Sequence, residues 1–358
     1  MLVDLLEGLD ASRTHQTVVR GPAVASEGDY LARRHVSAEV ITLGGLRRSI
    51  GLIDEARSLF ALVRTLRRLR PDVVHTHMAK AGVLGRLAGV LARVPVRVHT
   101  FHGHLLHGYF SAPVARLFVV VERLLGRLTT FALVVGESTR RDLLVARIVR
   151  RDDSAAILPP AKPMHRHDKR AARAQLGLAP DGVVVGFVGR LTGIKRPDKF
   201  LAIAEAIPEA HFALVGNGPL ADEVRAKAAA LPNVTMLDFN DDVSMVLAAL
   251  DVIALTSDNE GVPLSLIEAA SAGVPVVTAD VGSVREIVAD SVTGFVVSDA
   301  QLTDAVRRLV RDAALRDSMG RAAMSHIETC CSMRAYLEAH ESLYARLVAR
   351  HTRRESRR

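Results

Sequence analysis

Tryptophan is absent from this sequence of 358 residues, and aromatic residues make up only 4% of it. Single-stranded nucleic acids stack their bases on aromatic rings, so the sequence offers them few platforms. The formal net charge of +8 can indicate a nucleic-acid partner or an anionic membrane surface. Only six of the 47 basic residues are lysines, however, and such an arginine excess often accompanies GC-rich coding. We therefore expect no nucleic-acid partner.

Cysteine is also scarce, because the sequence contains only the neighbours Cys330 and Cys331. Adjacent cysteines cannot join distant segments, and they lack the spacing of zinc ligands. No run approaches the roughly 18 apolar residues that a membrane-spanning helix needs. The first residues also lack the basic-then-apolar order of a signal peptide. These absences predict a cytoplasmic protein, in a reducing compartment, without structural zinc.

Hydrophobic residues make up 49% of the chain, enough for two α/β domains that each bury a core. Short apolar runs alternate with helical segments, which is the pattern of βαβ units around a mostly parallel sheet. The predicted strands of the first half are Gln16–Val19, Glu39–Leu43, Val73–Thr76, Val96–Phe101 and Phe131–Val135, with helices near 50–69, 80–93, 113–128 and 138–147. Those of the second half are Val183–Val188, His211–Val215, Val234–Leu237, Val252–Leu255, Pro275–Thr278 and Gly294–Val297, with helices near 196–206, 219–230, 243–249, 264–272, 283–289 and 301–311.

A proline-rich stretch separates the two series. Pro159, Pro160 and Pro163 stand within five residues, a density that neither a helix nor a central strand accepts. We predict domains at 1–160 and 161–325, followed by a helical segment at 326–358 that ends in a frayed basic tail. Each half is expected to be doubly wound, so ligands should bind at the carboxyl ends of the strands.

Two carboxylates stand out in the second half. Glu260 and Glu268 lie eight positions apart, the first in the loop after a strand and the second in the next helix. Carboxylates accept hydrogen bonds from sugar and ribose hydroxyls. For either glutamate alone, a solvated or salt-bridging side chain is the simpler interpretation. Free backbone N–H groups at the start of this helix favour an anion such as a diphosphate. The amides concerned are those of Gly261, Val262 and Leu264.

Two cations follow the first strand of the second half. Arg190 and Lys195 lie five positions apart in this loop, after Gly189, so both can reach phosphate oxygens. They would offset the charge on a departing nucleoside diphosphate. Loop cations are commonly surface charges, and these two are distinguished by their place at the carboxyl edge of the sheet. The next strand ends in a glycine-rich turn where a base or ribose can pack, although many αβ turns look alike. This turn comprises Gly216, Asn217 and Gly218.

Histidines follow two strands of the first half. His99, His102 and His104 lie within six residues, and the last two share one side of an extended strand. Three histidines suggest a metal site, but no carboxylate or thiol lies at ligand spacing. We therefore expect no metal, and instead a hydrogen-bonding histidine that faces the cleft. His77 and Lys80, at the end of the preceding strand, are candidates for contact with an acceptor.

Together these segments resemble the retaining glycosyltransferases of family 4, whose GT-B architecture consists of two Rossmann-like domains facing each other across a cleft. The resemblance covers the chain from about residue 13 and is strongest at Gly189–Pro197, Gly216–Pro219 and Glu260–Glu268. It implies a metal-independent enzyme that transfers a hexose-type sugar from a nucleoside-diphosphate sugar, for which we expect UDP. The leaving phosphate would assist as the base, and no cofactor is implied.

The resemblance also implies roles for individual residues. Arg190 and Lys195 would hold the donor diphosphate, Glu268 the ribose hydroxyls and Glu260 the transferred sugar. His102 matches the histidine that faces the donor sugar near its anomeric carbon. The last helix would cross back to the first domain.

Segments of the first domain indicate which acceptor and which surface the protein would bind. The segments Val74–Gly82 and Thr100–Gly103 are most similar to family members that build bacterial surface polysaccharides. The expected acceptor is therefore a saccharide or a lipid-linked saccharide. A lipid-linked acceptor would suit weak docking to the inner face of the membrane through a basic helix, for which a solvated helix face is the simpler interpretation. The basic residues of this helix are Arg57, Arg64, Arg67, Arg68 and Arg70.

The start of the sequence departs from the family. Members open with a strand and a glycine-containing loop, whereas this chain begins inside the expected next helix, near Leu2–Leu9. Gly44 and Gly45 follow a later strand and cannot replace that loop. Loss of a central strand would leave backbone edges unpaired, so we expect a start codon misassigned by about 20 residues. A non-catalytic nucleotide-sugar binder or assembly partner is the alternative. A sugar-nucleotide epimerase is a further alternative, against which the glutamate pair argues.

Overall fold

The computed structural model describes residues 1–23, 31, 36, 38–46, 51–103, 112–238, 240 and 242–356. Within these ranges every strand pairing is parallel. Parallel strands need long crossover connections, and helices supply these crossovers in both halves. The prediction of an α/β protein with two doubly wound halves is confirmed.

The first half contains a four-stranded sheet and a separate strand pair. The larger sheet has the order β3-β4-β5-β6, while β1 pairs only with β2 among the described residues. The prediction of a further strand before the given start stays a prediction. The elements are α1 (Leu2–Gly8), β1 (Thr17–Arg20), β2 (Glu39–Thr42), α2 (Leu52–Leu69), β3 (Val73–His77), α3 (Ala79–Leu91), β4 (Val96–Phe101), α4 (Ala112–Leu128), β5 (Phe131–Val134), α5 (Glu137–Val145) and β6 (Ser154–Ala156).

The second half is built on one six-stranded sheet with the order β12-β11-β10-β7-β8-β9. The chain runs outward from β7 in one direction and from β10 in the other, so the strand order reverses between these two neighbours. The elements are α6 (Lys169–Gln175), β7 (Val184–Val188), α7 (Pro197–Ala206), β8 (His211–Val215), α8 (Ala221–Ala228), β9 (Val234–Leu237), α9 (Val243–Ala249), β10 (Val252–Leu255), α10 (Leu264–Ser271), β11 (Val276–Ala279), β12 (Gly294–Val297), α11 (Leu302–Arg311), α12 (Ala313–Cys330) and α13 (Met333–Glu355).

Both faces of the six-stranded sheet are covered, which explains the continuous apolar runs of its strands. Successive side chains of a strand point to opposite faces. Accordingly, Val184 packs in one apolar layer with Ile253, whereas Val185 packs in the other with Phe212. All four side chains are almost completely buried. Because the sheet is packed on both faces, its strands are held in place, and so are the strand ends at which the loops after β7 and β10 begin.

The last helix returns to the first half. Leu343 and Leu347 of α13 are buried against Val96, Val98 and Phe131 of the four-stranded sheet. The helix therefore contributes to the core of the first half, although it follows the second half in the sequence.

Several predicted elements need correction. The helix expected near 283–289 is a single 3-10 turn, Val284–Glu286. The tail from His351 was predicted to fray. It is instead helical as far as Glu355, where α13 ends. The predicted strand at Pro275–Thr278 begins and ends one residue later. Strand β6 and helix α6 were not predicted, since three residues of Ser and Ala carry no apolar alternation and α6 has only seven residues.

Candidate active site

The loops after β7 and β10 lie side by side where the strand order reverses, the usual ligand position in sheets of this kind. The Thr256 hydroxyl donates to the backbone carbonyls of Lys195 and Arg196, at 3.1 and 2.9 Å. The backbone N–H of Asp258 donates to the carbonyl of Ile194 at 2.9 Å. These bonds hold the two loops as one unit, so residues far apart in sequence keep a fixed geometry.

An ion pair lies at the centre of this unit. Lys195 Nζ donates to Glu260 Oε1 at 2.5 Å, and the Ser257 hydroxyl donates to the same oxygen at 2.6 Å. The Glu260 side chain is only 9% exposed and that of Lys195 23% exposed. A carboxylate and an ammonium group are thus positioned by bonds within the protein, as electrostatic catalysis requires. Ser257, which the sequence analysis did not select, fixes the carboxylate.

Two other predicted residues do not join this pair. Arg190 is exposed in the loop after β7, and no ion pair to it is found among the described residues. Glu268 lies in α10, where burial raises the pKa of its carboxyl group, against the opposing charge of Lys162. Within the described ranges, neither side chain is hydrogen-bonded to Lys195 or Glu260. The structure therefore brings together one cation and one carboxylate of the predicted four.

The glycine-rich turn after β8 packs directly on the loop after β7. Gly216 has φ +146°, and a Cβ atom there would lie 1.9 Å from the carbonyl oxygen of Gly189. The backbone N–H of Leu191 donates to the carbonyl of Asn217 at 3.0 Å. A Cβ atom on Gly218 would likewise lie 2.4 Å from the Leu191 carbonyl oxygen. Glycine is required here because any side chain would push the two loops apart.

The opposite wall comes from the first half of the chain. A Cβ atom on Gly261 would lie 2.6 Å from the carbonyl oxygen of His102 and 3.1 Å from Cα of Gly103. The loop after β10 thus touches the loop after β4, backbone against backbone. Val262 is buried, and its side chain approaches Gly136. Leu264 is the first residue of α10 and is 46% exposed.

A carboxylate bridges the two halves beside this contact. Glu286 accepts hydrogen bonds from the backbone N–H groups of Glu137 and Ser138, at 2.8 and 2.9 Å. These N–H groups begin α5, where helices favour negative charge. Sequence reasoning missed this bridge because Glu286 has the appearance of an ordinary polar residue in a predicted surface helix. It stabilises the approach of the second half to the first.

The histidines of the first half form a connected group. His77 Nδ1 and His102 Nε2 are hydrogen-bonded at 3.0 Å. The His77 ring lies 4.2 Å from that of His75, centroid to centroid. His75 in turn is hydrogen-bonded at 2.6 Å to Thr100 Oγ1 and, through its other nitrogen, to Tyr344 Oη in α13. The predicted residues His77 and His102 are therefore partners, tied to the returning helix.

Burial keeps these imidazoles neutral. It lowers the pKa of His102 to about 4 and that of His77 to about 3, and it lowers the pKa of His75 well below its usual value. A neutral imidazole carries one donor and one acceptor nitrogen, so in the His77–His102 bond one nitrogen donates and the other accepts. The remaining ring nitrogen of His102, Nδ1, accepts a hydrogen bond from a ligand when Nε2 is the donor in this pair, and donates one when Nε2 is the acceptor.

Acidification is expected to destabilise the protein. Below the unfolded pKa of 6.5, unfolded histidines bind protons that folded His77 and His102 exclude, so the free energy of unfolding falls until the pH reaches their folded pKa values of about 3 and about 4. Thermal unfolding should show a melting temperature several degrees lower near pH 5 than near pH 7. A smaller decrease in melting temperature between pH 7 and pH 5 in the His77→Gln variant would identify His77 as a source of the acid sensitivity. A melting temperature unchanged across this range would contradict the neutral state.

The remaining predicted residues occupy separate positions. Lys80 Nζ is paired with Glu55 Oε1 of α2 at 2.6 Å. His104 lies outside the described residues. In the part of the chain that the structure describes, no three His, Cys, Asp or Glu side chains are grouped to hold a metal ion. Nor is any helix there long and apolar enough to cross a membrane.

Both halves of the chain are similar to known proteins. Residues 1–161 match the glycosyl transferase 4-like domain, and residues 168–326 match the glycosyl transferases of group 1. An Escherichia coli UDP-Gal:alpha-D-GlcNAc-diphosphoundecaprenol alpha-1,3-galactosyltransferase is 28% identical over 281 residues, covering 74% of this chain and 72% of that protein. The D-inositol 3-phosphate glycosyltransferase of Actinosynnema mirum is 30% identical over 284 residues, covering 71% and 68%.

A similar fold is found among solved structures. The crystal structure of Anabaena Alr3699/HepE in complex with UDP and glucose matches with a TM-score of 0.78 at 20% identity, over 92% of this chain and 100% of that one. Its architecture is the GT-B fold that the sequence predicts. The chain therefore belongs to the glycosyl transferases of group 1, and its first half is a glycosyl transferase 4-like domain. Proteins of this family are GT-B glycosyltransferases that use sugar-nucleotide donors.

Proposed function

We propose that the protein transfers a hexose from UDP-hexose to a saccharide or lipid-linked saccharide, with retention of anomeric configuration and without a metal cofactor. The observation that carries this proposal is the Lys195–Glu260 pair, held at the reversal of strand order and next to the backbone contact between Gly261 and His102. A donor bound there has its diphosphate at the second half and its sugar facing the first.

The chemistry follows from charge. When the bond between the anomeric carbon and the phosphate oxygen breaks, negative charge develops on the diphosphate. Lys195 and Arg190 offset that charge, in the role that a metal ion plays elsewhere. Glu260 orients the sugar hydroxyls, and Glu268 accepts from the ribose. The acceptor oxygen forms the new bond on the face that the phosphate leaves, and the phosphate takes the acceptor proton, which preserves the anomeric configuration.

The donor and the acceptor are proposed from the relatives. The Escherichia coli relative is named for UDP-galactose and for a diphosphoundecaprenol-linked acceptor, and the Anabaena structure contains UDP and glucose. His77, Lys80 and His104 are proposed to contact the acceptor; His77 is the last residue of β3 and Lys80 lies in the first turn of α3, whereas His104 is outside the described residues.

Product analysis tests the proposed function. Purified protein is incubated with UDP-glucose or UDP-galactose and an undecaprenyl-diphosphate saccharide, and both UDP and glycosylated product are measured. We expect both, with the new linkage in the donor's anomeric configuration. UDP, GDP and ADP are compared for thermal stabilisation, and UDP should raise the melting temperature most.

The alternatives give different results in the same assays. A non-catalytic binder would be stabilised by UDP and form no product with any acceptor. An epimerase would convert the donor when no acceptor is present. Either result would overturn the proposal.

A further inference from the structure

Both ring nitrogens of His75 are engaged within the protein. Its Nδ1 is hydrogen-bonded at 2.6 Å to the Tyr344 hydroxyl of α13, and its Nε2 is hydrogen-bonded at 2.6 Å to the Thr100 hydroxyl of β4. A neutral imidazole has one donor and one acceptor nitrogen, so these two bonds use its full capacity. The ring therefore has no hydrogen bond left for a substrate, and its role lies in what it holds.

The bond to Thr100 is the first of two similar bonds between β3 and the chain of β4. His77, two positions after His75, is hydrogen-bonded to His102, two positions after Thr100. In the strand register His75 is opposite Val98 and His77 is opposite Thr100, so both bonds run diagonally. Because side chains two positions apart share one face of a strand, the four side chains lie on the same face of the sheet.

The two bonds are connected through ring contact. The His75 and His77 rings lie 4.2 Å apart, centroid to centroid, at an interplanar angle of 34°. Both nitrogens of His75 are used elsewhere, so this contact passes no proton. What it transmits is position, because the His77 ring packs against His75 and is bonded to His102. His75, His77 and His102 thus form a histidine row.

Helix α13 holds the first ring of this row. The Tyr344 ring meets His75 edge-on, with centroids 5.8 Å apart, and the His340 ring lies within 27° of parallel to it at 6.2 Å. His340 is itself fixed, since its Nδ1 donates to the backbone carbonyl of Tyr336 at 2.8 Å. Leu343 anchors the helix in the core of the four-stranded sheet. The row therefore starts from a rigid support.

Apolar side chains would fill the same space at a lower cost, because burial disfavours charged imidazoles and every buried nitrogen needs a partner. Burial accordingly lowers the pKa of His75 well below its usual value. The polar row is explained by what lies at its end. The His102 carbonyl and Gly103 approach Gly261 of the loop that also carries Glu260. His102 thus lies where the two halves of the chain meet.

We propose that His75 is a positioning residue for sugar transfer, anchored by Tyr344 and Thr100. Through His77 it fixes the ring of His102 against the transferred sugar. Such support matters because a displacement of about 1 Å can lower a rate about 100-fold. The inference rests on the proposed function for one step, the placement of that sugar opposite His102.

Nuclear magnetic resonance tests the row without an activity assay. An N–H···N hydrogen bond transmits a scalar coupling between its two nitrogens, so protein labelled with ¹⁵N-histidine should show one between His77 and His102 at neutral pH. His77→Gln and His102→Gln assign the two signals. Tyr344→Phe and Thr100→Val nearly preserve side-chain size and each remove one hydroxyl that holds His75. We expect the coupling to be lost in both.

Two matched variants separate this role from a general loosening of the fold. Tyr336→Phe removes a hydroxyl of the same helix that donates to the Met1 carbonyl at 3.4 Å, and it should keep the coupling. Thr100→Ser retains the hydroxyl and should keep it too. A coupling that persists in Tyr344→Phe, or that Tyr336→Phe abolishes equally, would overturn the proposal.

Kinetics connects the row to transfer. Tyr344→Phe and Thr100→Val should lower kcat about tenfold and change the donor KM less than about twofold, because the diphosphate is bound by the second half. Thr100→Ser should recover most of kcat. If the unaltered chain shows the coupling but transfers no sugar, the proposed function fails, and the positioning role fails with it. If transfer occurs and kcat is unchanged in variants without the coupling, only the positioning role fails.

Discussion

Replacement of Lys195 by alanine is expected to lower the rate of sugar transfer by about two orders of magnitude or more, as loss of a charged transition-state contact typically does. The ammonium group is already positioned by Glu260, and its charge is most valuable when the diphosphate departs. The loss should therefore appear mainly in kcat. Initial rates at saturating donor and acceptor measure it.

Two further variants make this prediction specific. Glu260→Ala should give a loss of similar size, because it removes both the sugar ligand and the partner that orients Lys195. Lys227→Ala serves as the control, since Lys227 lies in α8 and is paired with Glu223 on the same helix. Full activity in both Lys195→Ala and Glu260→Ala would refute the site.

Removal of the Glu122 carboxylate is expected to cause the largest loss of stability. Arg86 is 0% exposed and Glu122 2% exposed, and the guanidinium donates two hydrogen bonds of 3.0 Å to the carboxylate. Glu122→Ala would leave the arginine buried without its counter-charge, which typically costs about 3–5 kcal/mol of unfolding free energy. Urea denaturation measures this change.

The double variant Arg86→Met/Glu122→Leu supplies the internal control. It removes both charges and fills their space with apolar atoms, so it should be more stable than Glu122→Ala. Arg334→Ala, which breaks an exposed pair with Glu338, should leave the urea midpoint almost unchanged. If the urea midpoint of Glu122→Ala equals that of the unaltered chain, the buried Arg86–Glu122 pair does not contribute to the free energy of unfolding.

Much of the fold could be predicted because its strands are buried on both faces. Runs such as Val252–Leu255 read as continuous apolar segments, and their observed bounds equal the predicted ones. The loops that follow such strands meet at one sheet edge in any doubly wound fold. For that reason Lys195 and Glu260 could be placed in one site from sequence alone, although 65 positions separate them.

The remaining features depend on contacts that leave no local pattern. Glu286 meets the start of α5 across 149 and 148 positions, and His75 meets Tyr344 across 269. Periodicity reports which side of a helix is apolar, but α4 is apolar on two sides. Only packing against α3 decides which of these sides stays exposed. Such pairings are set by the tertiary arrangement of whole elements.

The central claim is tested most directly by a crystal structure of the protein with UDP bound. We predict diphosphate oxygens within hydrogen-bonding distance of Lys195 Nζ and the Arg190 guanidinium, with the ribose towards Glu268. A diphosphate bound elsewhere, for example in the cavity of about 460 Å³ lined by Thr42, Gly45 and Ser58, would contradict the account.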